Sequence, residues 1–131
     1  MSARRVIRNI SAADLIRYRL PVPGVLSILH RISGALMFLL LPWTLWLLDL
    51  SLRSALGYQQ LRQVADGWVV KTVLALLAWA LLHHLAAGIR FLLLDMDLGV
   101  DRAAARGSAW IVLAVSLPLA LWAALAIFGV I

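Results

Sequence analysis

The sequence contains no cysteine and no glutamate, and only one of its twelve cationic residues is a lysine. Without cysteine the chain can form no disulfide, and it offers no thiolate ligand for zinc or for an iron–sulfur cluster. Charged residues make up only 14% of the 131 positions, whereas 64% are hydrophobic. A soluble domain of this size has no interior large enough to hide so much apolar surface, so the composition excludes an ordinary soluble fold.

Three long apolar runs predict an all-α fold, a three-helix transmembrane bundle that forms a single domain over residues 1–131. Each run exceeds the roughly 20 residues that a helix needs to cross the hydrocarbon core. The lipid bilayer also forces helix, because the backbone finds no water there to hydrogen-bond with. The predicted helices cover residues of about 22–49, 68–94 and 108–131.

Arginine residues flank these runs and predict their orientation. A basic arm at residues 1–21 contains Arg4, Arg5, Arg8, Arg17 and Arg19. Because positive residues concentrate on the cytoplasmic side, we expect a cytoplasmic N-terminus and a periplasmic C-terminus. The first span follows the arm too closely for a separable transit peptide, which favours the inner membrane of a bacterium. The net charge of +6 is then explained by topology, and no nucleic-acid partner is expected.

Two groups of polar residues interrupt the predicted spans, where ionisable side chains are costly and mark candidate functional sites. The first span contributes one helix face with Ser27, His30, Arg31 and Gly34. The second contributes two neighbouring stripes, one with His84 and Gly88 and the next with His83, Ala87 and Arg90. In the predicted topology, Arg31 and His84 lie roughly 10 and 16 Å below the cytoplasmic surface, at 1.5 Å per residue. The two groups can therefore line one buried pocket in the cytoplasmic half of the bilayer.

Such a pocket suits a redox cofactor. A neutral imidazole such as that of His84 is a good axial ligand for haem iron, and Gly88, one turn away, leaves room for a flat macrocycle. Arg31 and His30 can offset the charge of haem propionates. Ser27 offers a hydroxyl donor of the kind that a quinone carbonyl requires.

Structural roles explain the same residues without a cofactor. A buried histidine in a bundle is more often an interhelical hydrogen-bond contact than a metal ligand. Arg31 and Arg90 are also suited to snorkelling toward the cytoplasmic interface. Gly34 and Gly88 are also suited to close helix packing.

Two sequence motifs resemble the cytochrome b membrane-anchor subunit of succinate dehydrogenase, respiratory complex II. Residues 27–34 read SILHRISG and are similar to the family pattern S-x-x-H-R-x-[ST]-G at the start of the first span. Residues 84–95 read HLAAGIRFLLLD and are similar to H-x-x-x-G-[IL]-R-H-x-x-x-D in the second span. The resemblance extends over nearly the whole chain, although Phe91 stands where the family pattern has its second histidine.

The resemblance implies a non-catalytic anchor that holds a flavoprotein subunit and an iron–sulfur subunit to the membrane, beside a second small anchor. It implies that His84 is the axial ligand of a b-type haem shared with that second anchor, with His30, Arg31 and His83 as neighbours of the haem. It also implies that Ser27 and Arg31 help to bind ubiquinone. Two alternatives stay open: a haem held by His30 and His84 of this chain alone, and a structural membrane anchor or small membrane-complex subunit without cofactor.

Overall fold

The computed structural model describes residues 20–131 and consists there of four α-helices. They are α1 (Val22–Arg53), α2 (Ala55–Ala65), α3 (Trp68–Asp95) and α4 (Arg102–Phe128). Three of them, α1, α3 and α4, are long and apolar enough to cross a membrane, which confirms the predicted three-span, all-α fold. The five arginines of the basic arm lie outside the described residues.

The last span begins earlier and ends earlier than the sequence predicts. Helix α4 begins at Arg102 rather than near residue 108, because the Asp101 carboxylate caps it. Asp101 Oδ1 accepts hydrogen bonds from two backbone N–H groups of the first turn, both at 3.0 Å. The helix stops before the end of the chain at Gly129, whose positive φ of 74° closes its last turn.

The connection between the first two spans contains a short helix that the hydropathy pattern does not predict. Helix α1 continues to Arg53 rather than to about residue 49, and Arg53 forms an ion pair with Asp49 one turn before it. Ser54 is extended, and its Oγ accepts a hydrogen bond of 3.0 Å from the Gly57 backbone N–H. This cap starts α2 immediately after α1 ends.

Helix α3 is the centre of the bundle, because it packs against both α1 and α4, which touch each other less. The closest contacts use small side chains: Ala80, Ala87 and Ala109 are all fully buried. Large apolar residues face outward, such as Phe38, which is 75% exposed, as expected for contact with lipid or another membrane chain. The central position of α3 gives it two lines of contact, one with α1 and one with α4.

Candidate functional site

Two stacked imidazole rings lie where α1 meets α3. The rings of His30 and His84 have centroids 4.0 Å apart and planes inclined by 13°. Phe91 of α3 closes one side of this pair, with its ring 5.0 Å from that of His30. The structure therefore brings together the two histidines that the sequence places at similar depths on different helices.

Hydrogen bonds at one nitrogen define the tautomer of His84. Its Nδ1 lies 3.1 Å from the backbone carbonyl oxygen of His30 and 3.3 Å from the Ser33 hydroxyl. Ser33 is fully buried and donates its own proton to the same carbonyl at 2.8 Å. Since a carbonyl can only accept, Nδ1 carries the proton, and the Nε2 of a neutral ring keeps its lone pair. This arrangement leaves Nε2 as the atom able to bind a metal.

Ser33 belongs to this candidate site by its contacts, and the sequence analysis did not single it out. Two features of the sequence could have identified it: Ser33 is a hydroxyl residue inside an apolar span, and it lies within the motif at residues 27–34, three residues after His30. Its contact with His84 depends on the crossing of two helices, which spacing within one helix does not reveal.

Gly34 makes room for the His84 ring. A Cβ at this position would lie 2.9 Å from His84 Cε1 and 3.3 Å from its Nδ1, closer than the stacked ring allows. The second motif glycine, Gly88, is less restricted, because a Cβ there would meet His30 Nε2 at an ordinary 3.6 Å. The close approach of α1 to His84 therefore depends on Gly34 in particular.

We expect Gly34→Ala to destabilise the protein by about 1–3 kcal/mol, the usual penalty for overpacking, although alanine is the better helix former. Denaturation of the purified protein in mixed detergent, followed by helicity, measures this change. Gly107→Ala in α4 is the matched control, since a Cβ there meets nothing within 4 Å. That variant should be unchanged or slightly more stable. Equal stabilisation by both substitutions would contradict the placement of the His84 ring against Gly34.

His83 lies on a different face of α3, toward α4. It is fully buried, its Nδ1 lies 3.2 Å from the Ser116 hydroxyl, and its ring stacks 5.7 Å from that of Trp79. The adjacent histidines thus belong to different helix contacts, as the division of polar residues into neighbouring stripes indicates. Only His84 lies against the first motif, which separates the two candidates geometrically.

Arg90 is held by α4. Its Nε donates to the Ser108 hydroxyl at 2.9 Å, and one terminal nitrogen donates to the Ala105 carbonyl oxygen at 3.0 Å. The residue is only 5% exposed. Its guanidinium is therefore an interhelical contact in this structure rather than a group that extends into solvent.

Ser27 and Arg31 lie one turn apart on α1 and do not join the stacked histidines. Ser27 is half-buried and Arg31 is exposed. Within residues 20–131, no hydrogen bond or ion pair engages either side chain. Residues 20–131 therefore leave both side chains open to a ligand or to a neighbouring subunit.

Comparison with known proteins places the chain in a family. A profile described as succinate dehydrogenase/fumarate reductase transmembrane subunit matches residues 5–126, which include both histidine motifs and nearly all of the three spans. The chain belongs to this family. Its membership makes it a multi-pass membrane-anchor subunit of the cytochrome b type.

Several bacterial members of the succinate dehydrogenase family are similar along most of their length. The chain is 36% identical over 118 residues to the succinate dehydrogenase cytochrome b556 subunit of Coxiella burnetii. This alignment covers 88% of this chain and 90% of the relative. It is 31% identical to that of Rickettsia felis, with 80% and 83% coverage. It is also 31% identical to that of Paracoccus denitrificans, with 79% of each chain covered.

Proposed function

We propose that this anchor subunit binds one b-type haem through His84, shares it with a second small anchor, and helps to form a site where ubiquinone is reduced. The observation that carries the proposal is the orientation of the His84 ring. Its Nδ1 proton is held by the His30 carbonyl, which leaves a lone pair on Nε2. Axial histidine ligands of haem need a neutral ring oriented in this way.

The surrounding residues fit a haem. Gly34 and Ser33 contact the ligand from α1, and Gly88 lies one turn from it, against the His30 ring. When bound, haem would supply one-electron redox chemistry. His30 and Arg31 are suited to offset its propionates. His83, which packs against Ser116, would be a neighbour of the haem rather than a ligand.

The geometry favours a second axial ligand from another chain. The lone pair of an imidazole nitrogen lies in the ring plane, and a ligating nitrogen lies about 2 Å from its metal. The planes of His30 and His84 are nearly parallel and separated by a 4.0 Å stack, so the two lone pairs do not converge on one atom. Ligation by both would require one ring to leave the stack. A second small anchor is the simpler source.

The quinone site is proposed at the start of α1. Ser27 and Arg31 present a hydroxyl donor and a cation, both without partners among residues 20–131. A quinone gains negative charge as it is reduced, and a guanidinium beside its oxygen stabilises that charge. An iron–sulfur subunit docked at this end of the bundle would deliver electrons, and a flavoprotein subunit beyond it would oxidise succinate.

This arrangement needs the start of α1 on the cytoplasmic side of a bacterial inner membrane, with the C-terminus in the periplasm. The arginines of the arm and of the first turns of α4 support that orientation. Reporter fusions after Arg106 should therefore read as cytoplasmic, and fusions within α2 should read as periplasmic. The reverse pattern would place Ser27 and Arg31 on the wrong side for the peripheral subunits.

A reduced-minus-oxidised visible spectrum of the complex purified through this chain tests the proposal. We expect a b-type spectrum, together with co-purified flavoprotein, iron–sulfur and second anchor subunits. A fully assembled complex with no haem signal would instead support the alternative of a structural anchor without cofactor.

A further inference from the structure

A buried cation lies outside the proposed haem and quinone sites. Arg90 is 5% exposed, and its two hydrogen bonds go to neutral oxygens of Ser108 and Ala105. Both ion pairs within residues 20–131 lie at the other end of the bundle, at Asp49 and Asp66. In the described part of the chain no acidic residue pairs with Arg90, whose guanidinium otherwise lies 5.4 Å from the centre of the Phe91 ring. A charge within a membrane span is costly unless an anion or water accompanies it.

Two neighbouring cavities both have Arg90 in their lining. One, of 340 Å³, runs between α3 and α4 toward the membrane centre and is otherwise lined by apolar side chains apart from Ser108. The other, of 280 Å³, leads toward the turn that joins these helices and includes Leu98 and Gly99. Both include Arg90, Leu93 and Ser108, and no acidic residue lines either of them. The two cavities are therefore neighbours, and the pair, with its apolar end and its shared cation, is called the path below.

We propose that this path binds an anionic phospholipid, with an acyl chain in the apolar cavity and the phosphate against Arg90. Arg90 lies five residues before the end of α3, or roughly 8 Å along the helix, which is within reach of a lipid headgroup. The fork of a guanidinium matches phosphate oxygens, and the Ser108 hydroxyl is a further donor at the same point. Ile89 and Ile111 line the apolar cavity and are exposed on the surface of the bundle, so the cavity opens toward the bilayer.

Charge complementarity selects this occupant over neutral molecules. A zwitterionic lipid or a quinone tail could fill the apolar cavity, but neither would supply net negative charge to Arg90. The hydrogen bonds of Arg90 go to α4, whereas those of His84 go to α1. Lipid binding therefore does not rest on the proposed haem or quinone sites.

The test uses the purified complex after exhaustive detergent exchange, incubated with phosphatidylglycerol or with phosphatidylcholine of the same acyl chains. Native mass spectrometry counts the lipid retained per complex. We expect selective retention of phosphatidylglycerol, and Arg90→Gln should reduce it about tenfold, as expected for the loss of one charge-assisted hydrogen bond. Arg106→Gln is the matched control, because it removes a cation from α4 that lines neither cavity.

A second pair of variants separates binding from folding. Ile111→Trp narrows the apolar cavity at an exposed position and should reduce phosphatidylglycerol retention. Leu117→Trp, which changes another exposed residue of α4 outside both cavities, should not. If Arg90 only joined two helices, Arg90→Gln would lower stability in both lipids and leave their retention ratio unchanged. That result, or equal retention of both lipids by the unmodified complex, would overturn the proposal.

Discussion

Replacing His84 by alanine should abolish or strongly perturb the b-type absorption spectrum of the purified complex, while His83→Ala should leave it largely intact. His84 offers Nε2 for ligation because its Nδ1 is held by the His30 carbonyl. His83 points into the α3–α4 contact and interacts with Ser116. Loss of an axial ligand should lower haem per complex by more than about tenfold, since even second-shell partners of metal ligands contribute 10- to 100-fold to affinity.

The haem content must be normalised to the amount of assembled complex, because His83→Ala can also lower stability. It leaves the buried Ser116 hydroxyl without its partner and opens a cavity. That loss costs about 1–3 kcal/mol of stability and can reduce the yield of protein without affecting the cofactor. A normal spectrum for His84→Ala combined with a lost spectrum for His83→Ala would reverse the assignment. If neither variant changes the spectrum, haem ligation by this chain is wrong.

The spans were predictable because the cost of placing charge in lipid leaves a strong signal in the sequence. Their ends were less so, because they depend on caps. Asp101 extends α4 toward its N-terminus, and Ser54 starts a separate helix where a loop was expected. A hydropathy pattern ends where charge begins, whereas a helix ends where its backbone hydrogen bonds are completed.

The candidate site was predictable in part for a similar reason. Helical spacing alone assigns His83 and His84 to different faces, and the structure shows one facing α4 and the other α1. The stacking of His30 on His84 and the contact of Ser33 with Nδ1 depend on how two helices cross. The same limit applies to Arg90, whose hydrogen bonds to α4 are set by tertiary packing rather than by its position in α3.

Ser27→Ala and Arg31→Leu should each lower succinate–quinone reductase activity at least about tenfold. Loss of a donor that stabilises developing charge in an active site commonly costs about 100-fold or more, so this expectation is a lower bound. Succinate oxidation by a soluble artificial acceptor should persist, because that acceptor takes electrons before they reach the membrane. Neither side chain has a hydrogen-bonding or ion-pair partner within residues 20–131, so their removal breaks no such interaction there. Haem content should therefore fall little in Ser27→Ala, and should fall in Arg31→Leu only to the extent that Arg31 binds a propionate.

Two variants at the opposite end of the bundle serve as matched controls. Ser51→Ala removes a hydroxyl from the same helix, and Arg62→Leu removes an exposed cation from α2; both should retain quinone reductase activity. A snorkelling Arg31 makes a different prediction, because Arg31→Lys and Arg31→Leu would then change assembly or topology but not turnover. Normal quinone reductase activity per assembled complex in both Ser27→Ala and Arg31→Leu would remove these residues from the site. The quinone would then have to bind elsewhere, without donors from the start of α1.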